Sequence, residues 1–395
     1  MTKEAISVIE LFSGIGTQKR GIENSNLWEY TLTNTAEIDI NAIIAYATLH
    51  CGLDTKGIST FEEYPTKQIM IAELKALNIG YDFNKKKAYN WEKVSEHKVK
   101  TCWLACKISK NLGDITRIES LAYADLWTYS FPCQDISRAG KQKGIIKGQT
   151  RSGLLYEIER LLGNAKENNK LPKYLLLENV KALASKQYKE QFEDWLNTLK
   201  TLGYNTYWKI LNSKDLGIPQ NRERLFAISI REDIDNARLK ISGKGYRDIS
   251  LQTLLDSVPD TEYTNEQLEL KQGESVACLV RKLKAKESML LTGLELKDYD
   301  LLKSISLSES SILKLMGNAI VTDCVTSLML DLYKALVADI RILDNVQKVN
   351  KDIKYLIIDD MYKSRGLRLY SDYCPTLRAE RNGLKVMKNK KGKFL

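Results

Sequence analysis

Histidine is almost missing from this chain: His50 and His97 are the only two in 395 residues. A zinc centre needs four converging ligands, and the cysteines that might replace histidine are scattered, at Cys51, Cys102, Cys106, Cys133, Cys278, Cys324 and Cys374. Cys102 and Cys106 have no second pair after them, and a separation of four is the spacing of one helix face. No metal is assigned. An odd, dispersed set of seven cysteines also argues against a disulfide framework and for a reducing compartment. Long apolar runs are lacking too, with no stretch near the roughly 18 uncharged residues of a membrane helix. The start, MTKEAISVIELFSG, has neither a long apolar core nor a small-residue cleavage site. Membrane and secreted classes are set aside, and a cytoplasmic location is expected. With only six prolines, no linker announces itself, and no internal repeat is visible. A Walker phosphate loop is absent, and so is a complete G-x-G-x-x-G, which removes support for ATP chemistry and tilts away from NAD.

What is present is charge, unevenly placed. The net charge is +10, and the segment from Ile340 to Leu395 holds fourteen Lys or Arg against six Asp or Glu, so it carries +8 of that total. A basic end points to a polyanionic partner, with a solvated lysine-rich tail as the plain alternative. The length fits two to three domains at roughly 150 residues each.

The chain begins as an α/β protein. An apolar run, Ile6 to Phe12, meets Ser13-Gly-Ile-Gly-Thr17, the pattern of a strand, a glycine turn and a helix. A second strand ends near Glu37, about twenty residues past the turn, where an acidic side chain can bind a ribose diol. A helix is predicted over 41–50. Residues 60–101 are lysine-rich and read as an irregular insertion. Strands are predicted at 124–130, 174–178, 204–212 and 225–230, with helices at 156–165 and 188–202. A later helix runs from about Asn318 to Ala338, and short β elements surround Tyr355 to Ile358. This alternation argues for an open, mostly parallel sheet.

Taken singly, the chemical signals are ambiguous. The turn at Gly14 and Gly16 is as readily structural as cofactor-binding. Cys133, in Phe131-Pro-Cys-Gln134, stands at a strand's carboxyl end, where open α/β sheets place reactive groups, although a lone cysteine is usually a small buried apolar residue. The polar, glycine- and lysine-rich stretch after it suits a loop that closes over a ligand. Glu178 ends another apolar strand, and its plain reading is an exposed neighbour of a helix-capping Asn179. Arg222 and Arg224, two apart, share a face if extended; they could form a surface ion-pair ladder or bind a base or phosphate.

Together, Phe12-Ser-Gly-Ile-Gly16, Phe131-Pro-Cys-Gln134, Glu178-Asn-Val180, Gln220-Asn-Arg-Glu-Arg224 and Gly317-Asn-Ala-Ile320 resemble the ordered motifs of DNA cytosine-5 methyltransferases, across nearly all of residues 6–335. The Asn/Asp-Pro-Pro-aromatic motif of exocyclic-amine methyltransferases is not found. The resemblance implies an S-adenosylmethionine-dependent, Rossmann-like α/β fold, its mostly parallel sheet carrying helices on both faces, plus a smaller DNA-recognition domain. It also implies S-adenosylmethionine as methyl donor. Cys133 is then the nucleophile; Glu178, Arg224 and Arg222 hold the base. Phe12, Ser13, Gly14, Ile15, Gly16, Glu37, Asp114, Ile115, Pro132 and Asn318 surround the cofactor.

One departure stands out. The family's Arg-x-Tyr…Pro-Thr-Leu stretch ordinarily precedes the Gly-Asn-Ala motif, yet its match here, Arg368-Leu-Tyr370…Pro375-Thr-Leu-Arg378, follows Gly317. The order therefore reads as permuted, with a catalytic domain at 1–231, a connector at 232–280, a completing segment at 281–338 and a basic target-recognition segment at 339–395. Gln134, Ser137, Arg138, Lys141, Arg368, Thr376, Arg378 and Arg381 are the expected DNA contacts. The implied partner is double-stranded DNA, the implied setting a prokaryotic or phage restriction–modification or orphan system. The chain is expected to be a monomer, with any cognate endonuclease making no direct contact. A tRNA-directed enzyme and a non-catalytic DNA-binding relative remain as alternatives.

Overall fold

The computed structural model describes residues 3–54, 64–82, 85–132, 152–245, 247–258, 264–269, 275–336, 355–359, 368–370, 374–375 and 384–388. Cys133, Gln134, Ser137, Arg138, Lys141, Thr376, Arg378 and Arg381 lie outside them.

A six-stranded sheet organises the fold. Its strands are β1 (Glu4–Leu11), β2 (Trp28–Ala36), β3 (Leu126–Tyr129), β4 (Tyr174–Val180), β5 (Tyr204–Asn212) and β7 (Glu223–Arg231), in the order β2-β1-β3-β4-β7-β5. The pairs β1–β2, β1–β3 and β3–β4 are parallel, and β7 runs antiparallel to both neighbours. Side chains alternate across the sheet, as a strand's period of two requires. Ile9, Leu11, Trp127, Tyr129, Leu175 and Leu177 enter one core, under α5 (Leu155–Glu167) and α6 (Lys189–Leu202). Ile6, Val8, Leu126, Leu176, Phe226 and Ile228 enter the other, under α1 (Thr17–Asn24) and α11 (Thr322–Leu336). Each large side chain fully buried this way contributes roughly 1.5–3 kcal/mol.

Two expectations need correction. The lysine-rich segment 60–101 is not irregular throughout: α3 (Lys67–Ala76) and α4 (Glu96–Ile108) pack on α2 (Ile40–His50). Met70, Ile71, Leu74, Val99, Cys102, Ala105 and Cys106 recur at helical spacing and bury together around Trp91, leaving the lysines outside. The stretch 232–280 is also more than a connector. After α7 (Leu251–Asp256), β8 (Thr264–Glu269) and β9 (Ser275–Lys282) join β10 (Tyr355–Asp359), β11 (Arg368–Tyr370) and β13 (Leu384–Lys388) in an antiparallel sheet, ordered β11-β10-β13-β9-β8. A short parallel pair, β6 (Gln220–Asn221) with β12 (Cys374–Pro375), sets the C-terminal segment beside the Gln-Asn-Arg-Glu-Arg motif.

Three helices, α8 (Ala285–Leu290), α9 (Leu296–Ser304) and α10 (Glu309–Asn318), complete the described residues and pack against Ile15, Ala42 and Ala45. From Glu309 to Leu336 the chain is long and apolar enough to cross a bilayer, yet 78% of its most apolar window is buried inside the protein. It is also interrupted, since α10 stops at Asn318 and α11 starts at Thr322.

Candidate active site

The site residues collect at the carboxyl ends of β1, β2, β3 and β4, as open α/β sheets dictate. On the β1 side, Phe12, Gly14 and Gly16 all take positive φ, at 57°, 55° and 79°, so the chain turns sharply into α1. The two glycines serve different ends. A Cβ on Gly16 would lie 2.5 Å from the His50 ring, whereas one on Gly14 would meet nothing within 4 Å. Gly16 is therefore a close internal contact, and Gly14 faces open space from which a ligand can approach the backbone. His50 Nε2 bonds to the Ile15 carbonyl at 3.1 Å, and burial, with Lys19 and Arg20 nearby, lowers its pKa to about 3. The imidazole is neutral and serves as a donor to that carbonyl.

Glu37, directly after β2, is held by the backbone. Its Oε2 accepts from Gly14 N–H at 3.0 Å, and its Oε1 from Ile38 and Asp39 N–H at 2.8 and 2.9 Å. Burial raises the carboxyl's pKa against these three donors. Asn111 fixes the residue from behind, taking Glu37 N–H, donating to its carbonyl, and accepting from Gly113 N–H. Asp114 thereby follows Glu37 in space; it is buried, and Oδ2 accepts from Asn78 at 2.7 Å while Oδ1 accepts from the Thr116 amide and hydroxyl. Ile115 is buried beside it.

On the β4 side, Glu178 is only 7% exposed, contrary to its plain reading as a solvent-facing residue. One oxygen takes Ser130 Oγ at 2.6 Å and the other pairs with Arg224 Nε at 3.2 Å. The antiparallel register makes this possible, since Val180 faces Arg224 and Glu178 faces Phe226 across β4 and β7. Asn179 does not cap a helix either: its Nδ2 donates to the Phe131 carbonyl at 3.1 Å, and its Oδ1 accepts from Val180 N–H. Ser152 Oγ holds the Pro132 carbonyl at 2.7 Å. The two residues immediately before Cys133 are thus tied to β4 and to Ser152.

Arg222 and Arg224 take different partners. Arg222 is 3% exposed and donates to the carbonyls of Gly317 and Ala319, at 3.3 and 2.9 Å. Asn318 is exposed at that turn. Sequence reasoning missed Ser130, Asn111, His50 and Ser152; only Ser130, one residue before Phe131, had a signal in its position at the strand end.

A glycine turn, a carboxylate after β2 and a buried carboxylate–guanidinium pair at the end of β4 are thus brought to one end of the sheet. A family model described as C-5 cytosine-specific DNA methylase matches residues 70–275. The chain is 33% identical over 368 residues to the Type II methyltransferase M2.ScrFI of Lactococcus lactis subsp. cremoris, covering 84% of this chain and 99% of that protein. The chain belongs to the C-5 cytosine-specific DNA methylases. It is also 39% identical over 234 residues to the orphan methyltransferase M.SssI of Spiroplasma monobiae, covering 57% of this chain and 59% of that one. Among solved structures, the Entamoeba histolytica methyltransferase EhMeth shares the fold, with a TM-score of 0.52 and 15% identity over 85% of this chain and all of that one.

The methylase is accordingly an enzyme of DNA cytosine-5 methylation, with S-adenosylmethionine as methyl donor. Its residues suit that donor. Glu37 Oε2 and Asp114 Oδ2 each accept one hydrogen bond from the protein, which leaves a lone pair on each for an incoming hydroxyl or amine.

Proposed function

We propose that this methylase flips one cytosine out of double-stranded DNA and methylates it at C5 through a transient bond between Cys133 Sγ and the base's C6. The observation that carries this reading is the buried Glu178, clasped by Arg224 and Ser130 beside a Pro132 that leads directly into Cys133. Cytosine C5 is too weak a nucleophile to attack a methyl sulfonium unaided. Addition of the Cys133 thiolate to C6 forms an S–C6 bond and pushes electron density onto C5. S-adenosylmethionine supplies the electrophilic methyl group. A base then removes the C5 proton, the C6–S bond breaks, and the thiolate returns. Glu178 faces the ring N3 and exocyclic amine, and Arg224 the O2 oxygen, so a pyrimidine with cytosine's edge is selected. A base inside a duplex cannot reach such a pocket, hence the flipping.

On the donor side, Glu37 takes the ribose hydroxyls, Asp114 the adenine amine, and Ile115 packs on the ring. Phe12, Ser13, Gly14, Ile15, Gly16, Pro132 and Asn318 line the remainder. Sequence readout falls to the C-terminal segment and the loop after Cys133. This assignment draws on the β6–β12 pairing beside the base-holding motif and on the +8 charge of that segment, with Gln134, Ser137, Arg138, Lys141, Arg368, Thr376, Arg378 and Arg381 as the contacts. The enzyme works as a cytoplasmic monomer in a restriction–modification or orphan setting.

Labelled S-adenosylmethionine with plasmid DNA, then bisulfite sequencing, tests the reading, with Cys133→Ser in parallel. Conversion-resistant cytosines at one recurring site, absent with the variant, are expected. Transfer to tRNA but not DNA, or full activity of Cys133→Ser, would sink it.

A further inference from the structure

The apolar stretch 309–336 has the composition of one continuous helix, yet it breaks between Asn318 and Thr322. Two side chains from distant parts of the methylase hold the break. The last carbonyls of a helix have no partner within it, and a cation at that end is favoured; the buried Arg222 guanidinium meets both conditions at Gly317 and Ala319. From the other side, Thr17 Oγ1 accepts from Ile320 N–H at 3.2 Å. Thr17 is the first residue of α1, directly after Gly16, and Arg222 stands one residue before β7, whose Arg224 pairs with Glu178.

We infer that Arg222 is a positioning residue: with Thr17 it clamps the 317–320 turn and so joins the base-holding strand to the cofactor-side turn. Asn318, exposed at the centre of the clamped turn, is kept at the donor site by hydrogen bonds it does not itself make. The inference rests on the proposed placement of Asn318 beside the donor. It moves Arg222 from the target base, where its motif suggests it belongs, to the cofactor's side of the enzyme.

The test is isothermal titration of the full chain with S-adenosylhomocysteine, which needs no turnover. Arg222→Met is expected to weaken that affinity by about tenfold or more, and Arg222→Lys, which keeps a donor, to recover part of it. Thr17→Val, of nearly equal volume, should act in the same direction, and the double variant should fall short of the sum. Arg224→Met serves as the contrast, expected to weaken trapping on a 5-fluorocytosine duplex while cofactor affinity holds. If Arg222→Met melts like the parent and binds S-adenosylhomocysteine normally but loses DNA trapping, Arg222 acts on the base and the clamp is wrong. Should Arg222→Met fail to fold, normal affinity in both Thr17→Val and Arg222→Lys overturns it equally. Failure of the parent chain itself to bind S-adenosylhomocysteine would instead strike at the proposed function.

Discussion

Two carboxylates at the carboxyl ends of strands in one sheet, Glu37 and Glu178, are held in opposite ways. Glu37 is gripped by backbone amides, from Gly14, Ile38 and Asp39, whereas Glu178 is gripped by side chains, from Ser130 and Arg224. A backbone grip depends on the path of the chain, so the place of Glu37 is specified by the glycine turn and by Asn111. A side-chain grip depends on a few residues that substitution can remove singly. On the proposed assignment, the donor end is therefore the harder to retune by single substitutions, and the base end is where the chemistry can be altered one atom at a time.

The contrast can be broken most sharply at the base end. Glu178→Gln is expected to lower methyl transfer by about 10²–10³-fold while S-adenosylhomocysteine affinity stays within about twofold, read by single-turnover transfer and by titration. Next comes Glu10, buried on β1 below the donor turn, where Tyr30 donates to it at 2.9 Å. Burial raises its pKa from 4.5 to about 7, against the Tyr30 hydrogen bond and the Lys19 charge. The folded state thus binds this proton more tightly than the unfolded chain. Its contribution is complete below pH 4.5 and is lost as the pH rises to about 7. Denaturant titrations across that range should show Glu10→Gln gaining on the parent by about 3 kcal/mol, then levelling off.

At the donor end, Glu37→Gln replaces an acceptor with an amide that faces N–H groups. Cofactor affinity should fall about thirtyfold, or about 2 kcal/mol, with transfer from the saturated enzyme little changed. That is the mirror image of Glu178→Gln, and equal effects of the two variants on affinity would erase the distinction drawn between the ends. The smallest effect belongs to the exposed Lys181–Glu223 pair, which joins the end of β4 to the start of β7. Lys181→Ala should shift stability by less than about 1 kcal/mol, checked by thermal melting.

Much of this was legible in the linear chain. Glu37 lay at the expected distance past the glycine turn, and Glu178 at the end of an apolar strand, because strand and turn patterns are local. The supports were not, since each depends on an approach across the fold. Asn111 meets Glu37 from 74 residues away, and Arg222 reaches Gly317 and Ala319 from 95 and 97. His50 gives no sign in sequence that its ring fills the space at Gly16. The paired arginines looked equivalent because alternation predicts a shared face but says nothing about which partners are waiting. Lysine content misread 67–76, where apolar residues at helical spacing outweighed the surrounding charge.

The layout of the two sheets also sets a timetable for synthesis. The six-stranded sheet has all its strands by Arg231, but the helix that roofs one of its faces, α11, ends only at Leu336. β9 ends at Lys282 and waits for β13, which starts at Leu384, to pair along one side. The two intervals overlap from Lys282 to Leu336, which at about 5–20 residues per second lasts roughly 3–11 s on the ribosome. During that overlap an apolar sheet face and an open strand edge await their partners together, the combination that invites aggregation.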